Sequence, residues 1–131
     1  MTTNKDLLTR RQAAVPRGVS TAHPVFAVRA ENAEIWDAEG KRYIDFVGGI
    51  GVQNTGHRHP KVVAAIEEAL KHSIHTAFQV TAYESYIALA EELNARAPIE
   101  GPAKTIFLST GAEAVENAVK IARVATGRPG I

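Results

Sequence analysis

Ser109, Thr110, Gly111 and Ala112 stand where the short run 104–109 gives way to a helical pattern that starts at Gly111. A strand that turns through glycine straight into a helix presents free backbone N–H groups and the positive end of the helix dipole, which together suit an anion. Ser109 and Thr110 add hydroxyls, Gly111 admits a close approach and Ala112 adds little bulk. Taken alone, the pattern is equally that of an ordinary capped helix start, because Thr110 and Glu113 have capping-box spacing. It is not a nucleoside-triphosphate loop, since G-x-x-x-x-G-K-[ST] does not occur, and no G-x-G-x-x-G opens the helix as a dinucleotide site requires. A second span with chemical potential is 47–56, which holds four glycines in ten positions. No regular element is expected to tolerate that density, whereas a backbone passing close to a ligand does. His57 and His59 read as a helix-entry pair beside Pro60, lacking the further ligands of a zinc site.

These residues need elements to hold them. The segment 5–15 reads as a short surface helix ending at Pro16, with Asp6 out of place for a transit peptide. Alternation from Pro24 to Phe46, broken by the turn cluster at Asp37 to Gly40, predicts a small antiparallel meander. Val63, Ile66 and Leu70 recur at helical spacing after Pro60, which suits a first helical position. Thr81 and Glu84 have capping-box spacing, and Tyr83, Ile87, Ala90, Leu93 and Ala97 form the stripe of a second helix. Residues 104–109 predict a strand of a parallel sheet, buried on both faces. The last helix carries Ala114, Ala118, Ile121 and Ala125 on one side and stops at Gly127 and Pro129. Glu116 and Lys120 fall at the spacing of a solvated ion pair.

Composition narrows the classes. The chain has 131 residues, 45% hydrophobic and 22% charged, with fifteen basic and fourteen acidic side chains interleaved. No basic stripe for nucleic acid is present. There is no cysteine, which excludes disulfides and thiolate chemistry. No apolar run approaches a membrane span, and a cytoplasmic location is expected.

The ordered motifs go further. Trp36-Asp37, Gly40, Tyr43-Ile44-Asp45-Phe46, Gly48-Gly49-Ile50, Gly56-His57-Arg58-His59-Pro60 and Ser109-Thr110-Gly111-Ala112-Glu113-Ala114-Val115-Glu116 occur in a sequence that resembles the class III aminotransferases along nearly the whole chain. The likeness is greatest to the bacterial 4-aminobutyrate-type members. It implies an α/β fold, the N-terminal part of a fold type I pyridoxal-phosphate-dependent transferase. The expected parts are residues 1–56 with meander and glycine-rich loop, 57–103 as a helical connection, and 104–131 as the start of the large cofactor-binding domain.

The resemblance also implies that Ser109, Thr110, Gly111 and Ala112 hold the phosphate of pyridoxal 5'-phosphate, and that Ile50 and Gln79 lie near substrate. Gln79 would need a hydrogen-bond partner if buried. The implied reaction moves the amino group of 4-aminobutyrate, or a similar ω-amino acid, to the keto acid 2-oxoglutarate. Ornithine or acetylornithine are alternative donors. The resemblance places the Schiff-base lysine and the carboxylate that pairs with the pyridinium nitrogen beyond Ile131, and neither Lys104 nor Lys120 is placed to stand in for that lysine. No metal is implied, and the full-length family member is a homo-oligomer built on a dimer. Two other readings are an anion-binding module without covalent chemistry and a non-catalytic chain that only pairs with the intact subunit.

Overall fold

The computed structural model describes residues 2–130 and divides them into two compact units, Met1–Ile74 and His75–Ile131.

The first unit opens with α1 (Asn4–Ala14). Asp6 is a capping residue: Thr3 and Asp6 exchange hydrogen bonds across the first turn, satisfying donors that a helix start leaves free. The meander follows as β1 (Ala27–Glu31), β2 (Glu34–Asp37) and β3 (Arg42–Ile44), antiparallel in the order β1-β2-β3. A register irregularity lies between Ala27 and Arg29. Arg29 covers the Trp36 ring at 4.4 Å and pairs with Glu31, so one side of β1 is dressed with charge.

Asp37 is the best-buried side chain, 1% exposed, and ties the unit together. Its Oδ1 accepts the amides of Glu39 and Lys41, which closes the β2–β3 turn. Its Oδ2 accepts Asn4 Nδ2 and the Tyr43 hydroxyl, both at 2.9 Å. Asn4 Oδ1 in turn accepts the Phe26 amide, so one asparagine fastens the start of α1 to the sheet. Burial pushes the Asp37 carboxyl up, but the hydrogen bonds from Asn4, Tyr43, Lys41 and Glu39 outweigh it and leave the group below its ordinary value.

The glycine-rich loop departs from expectation. Residues Gly48–Gly51 form a single helical turn, α2, closed by Gly51 N→Val47 O and Val52 N→Gly48 O. Its φ values are +52°, +61°, +63° and +75° along 48–51, so the turn is left-handed. Glycine makes this possible, having no Cβ to strike the following carbonyl. A regular element therefore does form here, of the opposite hand. The unit closes with α3 (Pro60–Leu70), where His59 Nδ1 accepts the Lys61 amide and Pro60 takes the first position.

The second unit contains α4 (Glu84–Arg96) and α5 (Gly111–Thr126). The Thr81–Glu84 capping box does not form. Thr81 is used to close the preceding turn, its amide bonding to Ala77 O and its carbonyl accepting the Thr76 hydroxyl, and the extended Tyr83 becomes the N-cap without a side-chain bond. The strand expected over 104–109 makes no β-ladder either. Ala103, Thr105 and Phe107 are half-buried while Lys104, Ile106 and Leu108 are exposed, so the alternation of a strand is present without a strand beside it. The stretch is held by α4 instead: Tyr86 accepts the Phe107 amide through its hydroxyl, and Asn94 accepts the Thr105 hydroxyl. Tyr86 also stacks on Phe78 and meets Phe107 edge to face. The covered side of α4 and its C-cap thus runs through Tyr86, Ala90, Asn94 and Ala97, which keeps Ala90 and Ala97 of the expected stripe and leaves its larger members Tyr83, Ile87 and Leu93 exposed.

Among the described residues no hydrophobic side chain is fully buried. No helix is long and apolar enough to cross a membrane.

Candidate functional site

The junction 109–113 is built as its residue types require. Thr110 is the N-cap of α5, and the reciprocal box is complete: Glu113 N donates to Thr110 Oγ1, while Thr110 N donates to Glu113 Oε2 at 2.9 Å. The Thr110 hydroxyl donates to the same carboxylate oxygen. Its donor is therefore directed at Glu113 and not outward, which corrects the expectation of a free hydroxyl at Thr110. The next two amides, of Gly111 and Ala112, are the first of the helix and have no carbonyl four residues back within it. A Cβ built on Gly111 meets nothing within 4 Å, and its φ is not in the left-handed region. Nothing in the backbone demands glycine there, so its benefit is the space it leaves open above the helix end. Ser109 is exposed, its hydroxyl free of hydrogen bonds among the described residues, and it borders a groove lined by Tyr83, Tyr86, Leu89 and Phe107. The arrangement offers two directed N–H groups, one hydroxyl and a helix dipole to an oxygen-rich anion. These features fit a phosphate monoester such as that of pyridoxal phosphate.

The other sequence-derived candidates lie as follows. Ile50 sits inside the left-handed turn at φ +63° and ψ +53°, with 89% of its surface exposed. A β-branched residue in that region is strained, and an exposed one gains no packing in return. Gln79 is exposed in the turn that Val80 N→Ala77 O closes. The argument that a buried amide needs a partner therefore does not apply to it. Ile50 belongs to the first unit, whereas Gln79 and the 109–113 junction belong to the second. Lys120 pairs with Glu116 at 2.6 Å as a solvated i,i+4 couple, and Lys104 is exposed.

Sequence reasoning overlooked the way the glycine-rich loop is anchored. His57 Nε2 lies 2.7 Å from Asp45 Oδ2, with both side chains largely covered. Asp45 Oδ1 accepts the amides of Val47, the right-handed cap, and of Gly48, the first residue of the left-handed turn. The His57 hydrogen bond, followed by that of Gly48, holds the Asp45 carboxyl below its ordinary value. The spacing of an aspartate before a glycine pair and a histidine after it was the available signal. Among the described residues no group of His, Asp and Glu could hold a metal ion.

Comparison with known proteins defines the class. Residues 14–131 match the aminotransferase class-III family, and the chain belongs to it. It is 64% identical over 129 residues to 5-aminovalerate aminotransferase of Pseudomonas aeruginosa, covering 98% of this chain and 30% of that protein. To 4-aminobutyrate aminotransferase of Escherichia coli it is 58% identical over 130 residues, covering 99% and 30%. The solved taurine:2-oxoglutarate aminotransferase of Bifidobacterium kashiwanohense, in complex with PLP and glutamate, superposes with a TM-score of 0.83 at 30% identity. That superposition covers 98% of this chain and 29% of that one. The chain thus spans about 30% of the length of the curated relatives it matches. It has the fold of the N-terminal part of a fold type I enzyme, in a family that depends on pyridoxal phosphate.

Proposed function

We propose that this chain supplies the phosphate-docking end of an aminotransferase that takes the amino group from a short ω-amino acid, 4-aminobutyrate or 5-aminovalerate, and passes it to 2-oxoglutarate. The observation that carries the reading is the N-terminus of α5, where the Gly111 and Ala112 amides face space left open at Gly111. Ser109, Gly111 and Ala112 bind the phosphate directly, and Thr110 fixes the helix end that presents them. When bound, pyridoxal phosphate supplies an electron sink for removal of a proton from the amine-bearing carbon. Residues of this chain orient that group and bound the donor path, with Ile50 and Gln79 as contacts. The lysine and carboxylate that complete the chemistry belong to other parts of the enzyme, as does pairing of subunits. Within it, residues 1–56, 57–103 and 104–131 serve as loop-bearing segment, helical connection and beginning of the cofactor domain, in a cytoplasmic protein. The relatives named for four- and five-carbon ω-amino acids support the donor class.

The test is Gly111→Asp in a holoenzyme carrying these residues. An aspartate in the first turn favours the helix dipole, and its Cβ meets no protein atom, so folding stability is expected to hold or rise. The same charge opposes a phosphate, and the affinity for pyridoxal phosphate should fall at least about tenfold. Unchanged cofactor affinity in equilibrium dialysis would place the phosphate elsewhere.

A further inference from the structure

The loop 46–56 is tied at its base in a way that no contact within the loop explains. Asp45 N donates to Ala33 O, while His57 exchanges both backbone hydrogen bonds with Asn32, so both ends of the loop are fixed to the β1–β2 turn. Gly56 lies so close that a Cβ there would come within 3.0 to 3.1 Å of the Asn32 backbone. Across this base the side chains of Asp45 and His57 meet, and the second carboxylate oxygen of Asp45 takes the amides of Val47, which caps the left-handed turn, and Gly48, which begins it. The turn displays Ile50, strained and 89% exposed. A side chain held at an energetic cost and packed on nothing points to a contact made outside this chain's own fold.

We propose that Asp45 and His57 are positioning residues that set selectivity between ω-amino acid donors by holding the left-handed turn that carries Ile50. This rests on the reading of Ile50 as a donor contact. Asp45 acts through the Val47 and Gly48 amides, and His57 acts through Asp45. Neither touches substrate. Loss of either lets 48–51 relax toward other conformations open to a glycine-rich segment, which moves the Ile50 side chain away from the donor and blurs its measure of chain length. A difference of one methylene separates the two donors, and a pocket distinguishes such a pair by about 10- to 200-fold at most.

The readout is the ratio of kcat/KM for 4-aminobutyrate to that for 5-aminovalerate, with 2-oxoglutarate as acceptor, in a holoenzyme carrying these residues. The ratio is independent of the fraction of enzyme that is active, so partial misfolding does not disturb it. Asp45→Ala and His57→Ala are expected to shift it about fivefold to tenfold, within the range one methylene allows. Asp45→Asn, which keeps an acceptor for the two amides and a partner for the imidazole, should restore it to within about twofold. Ile50→Ala should shift the ratio too, and His57→Ala added to Ile50→Ala should shift it no further. If Ile50→Ala leaves the ratio unchanged, the reading of Ile50 as a donor contact is wrong and the proposal falls with it. If Ile50→Ala shifts it while His57→Ala, and Asp45→Ala where it folds, lower stability without moving the ratio, that reading stands and the positioning role is overturned. Should Asp45→Ala yield no enzyme, the other variants decide the matter unaided.

Discussion

Single residues show where chemistry and folding pull apart. Asp37 is fully engaged, accepting from Asn4, Tyr43 and two backbone amides, and its carboxyl is held below the ordinary value of 3.8 despite burial. A carboxyl with a lowered folded pKa stabilises the fold above its unfolded value and loses that contribution as pH falls through the folded one. The clasp between α1 and the sheet is therefore expected to persist at pH 5 and to open only in acid below the ordinary carboxylate range. The side-chain amide protons of selectively labelled Asn4, followed by NMR through an acid titration, report it directly. Opening between pH 5 and 7 would contradict the assignment. In the sequence Asp37 was legible only as a turn residue. Its link to Asn4 spans 33 positions and no local pattern carries it. Ile50 was legible as a position to watch, but not its left-handed backbone, because propensities assign a β-branched residue to extended or right-handed conformations.

At the scale of elements, local rules held where the partner was a few residues away. Pro60 and Gly127 mark helix boundaries as their chemistry requires, and the box at Thr110–Glu113 forms. The same motif at Thr81–Glu84 fails because Thr81 already serves the turn from Ala77, a competition that spacing alone does not reveal. Residues 104–109 fail as a ladder for a different reason: a strand is a property of a pair, and the apolar run describes one member only. The assignment of Thr110 to capping has a measurable consequence. Thr110→Ala is expected to cost about 1 kcal/mol of α5 stability. It should weaken cofactor binding much less than Gly111→Asp does, since the hydroxyl is committed to Glu113. Denaturant unfolding and cofactor titration of the same variant separate the two effects, and a loss of affinity equal to that of Gly111→Asp would show that the hydroxyl reaches the phosphate.

At the scale of the whole molecule, the described residues bury no hydrophobic side chain completely, and Phe46, Ile74, Val80, Ile106, Ile121 and Val124 are among many left open. A chain in this state lacks the apolar burial that offsets conformational entropy. Expressed as these residues alone, it is expected to bind a hydrophobic dye, to give poorly dispersed amide spectra and to show no transaminase turnover. Sharp, well-dispersed spectra would refute this. The glycine-rich loop has a stereochemical property of its own. Between residues 48 and 51 the backbone runs as the mirror image of an ordinary helical turn, and three of its four residues are achiral. Such a span has almost no built-in preference for one enantiomeric form over the other, and its single chiral residue, Ile50, opposes the form adopted through its Cα configuration. The hand of the loop is consequently written in Asp45, His57 and the backbone of Asn32, so chirality in this short segment is inherited from its neighbours.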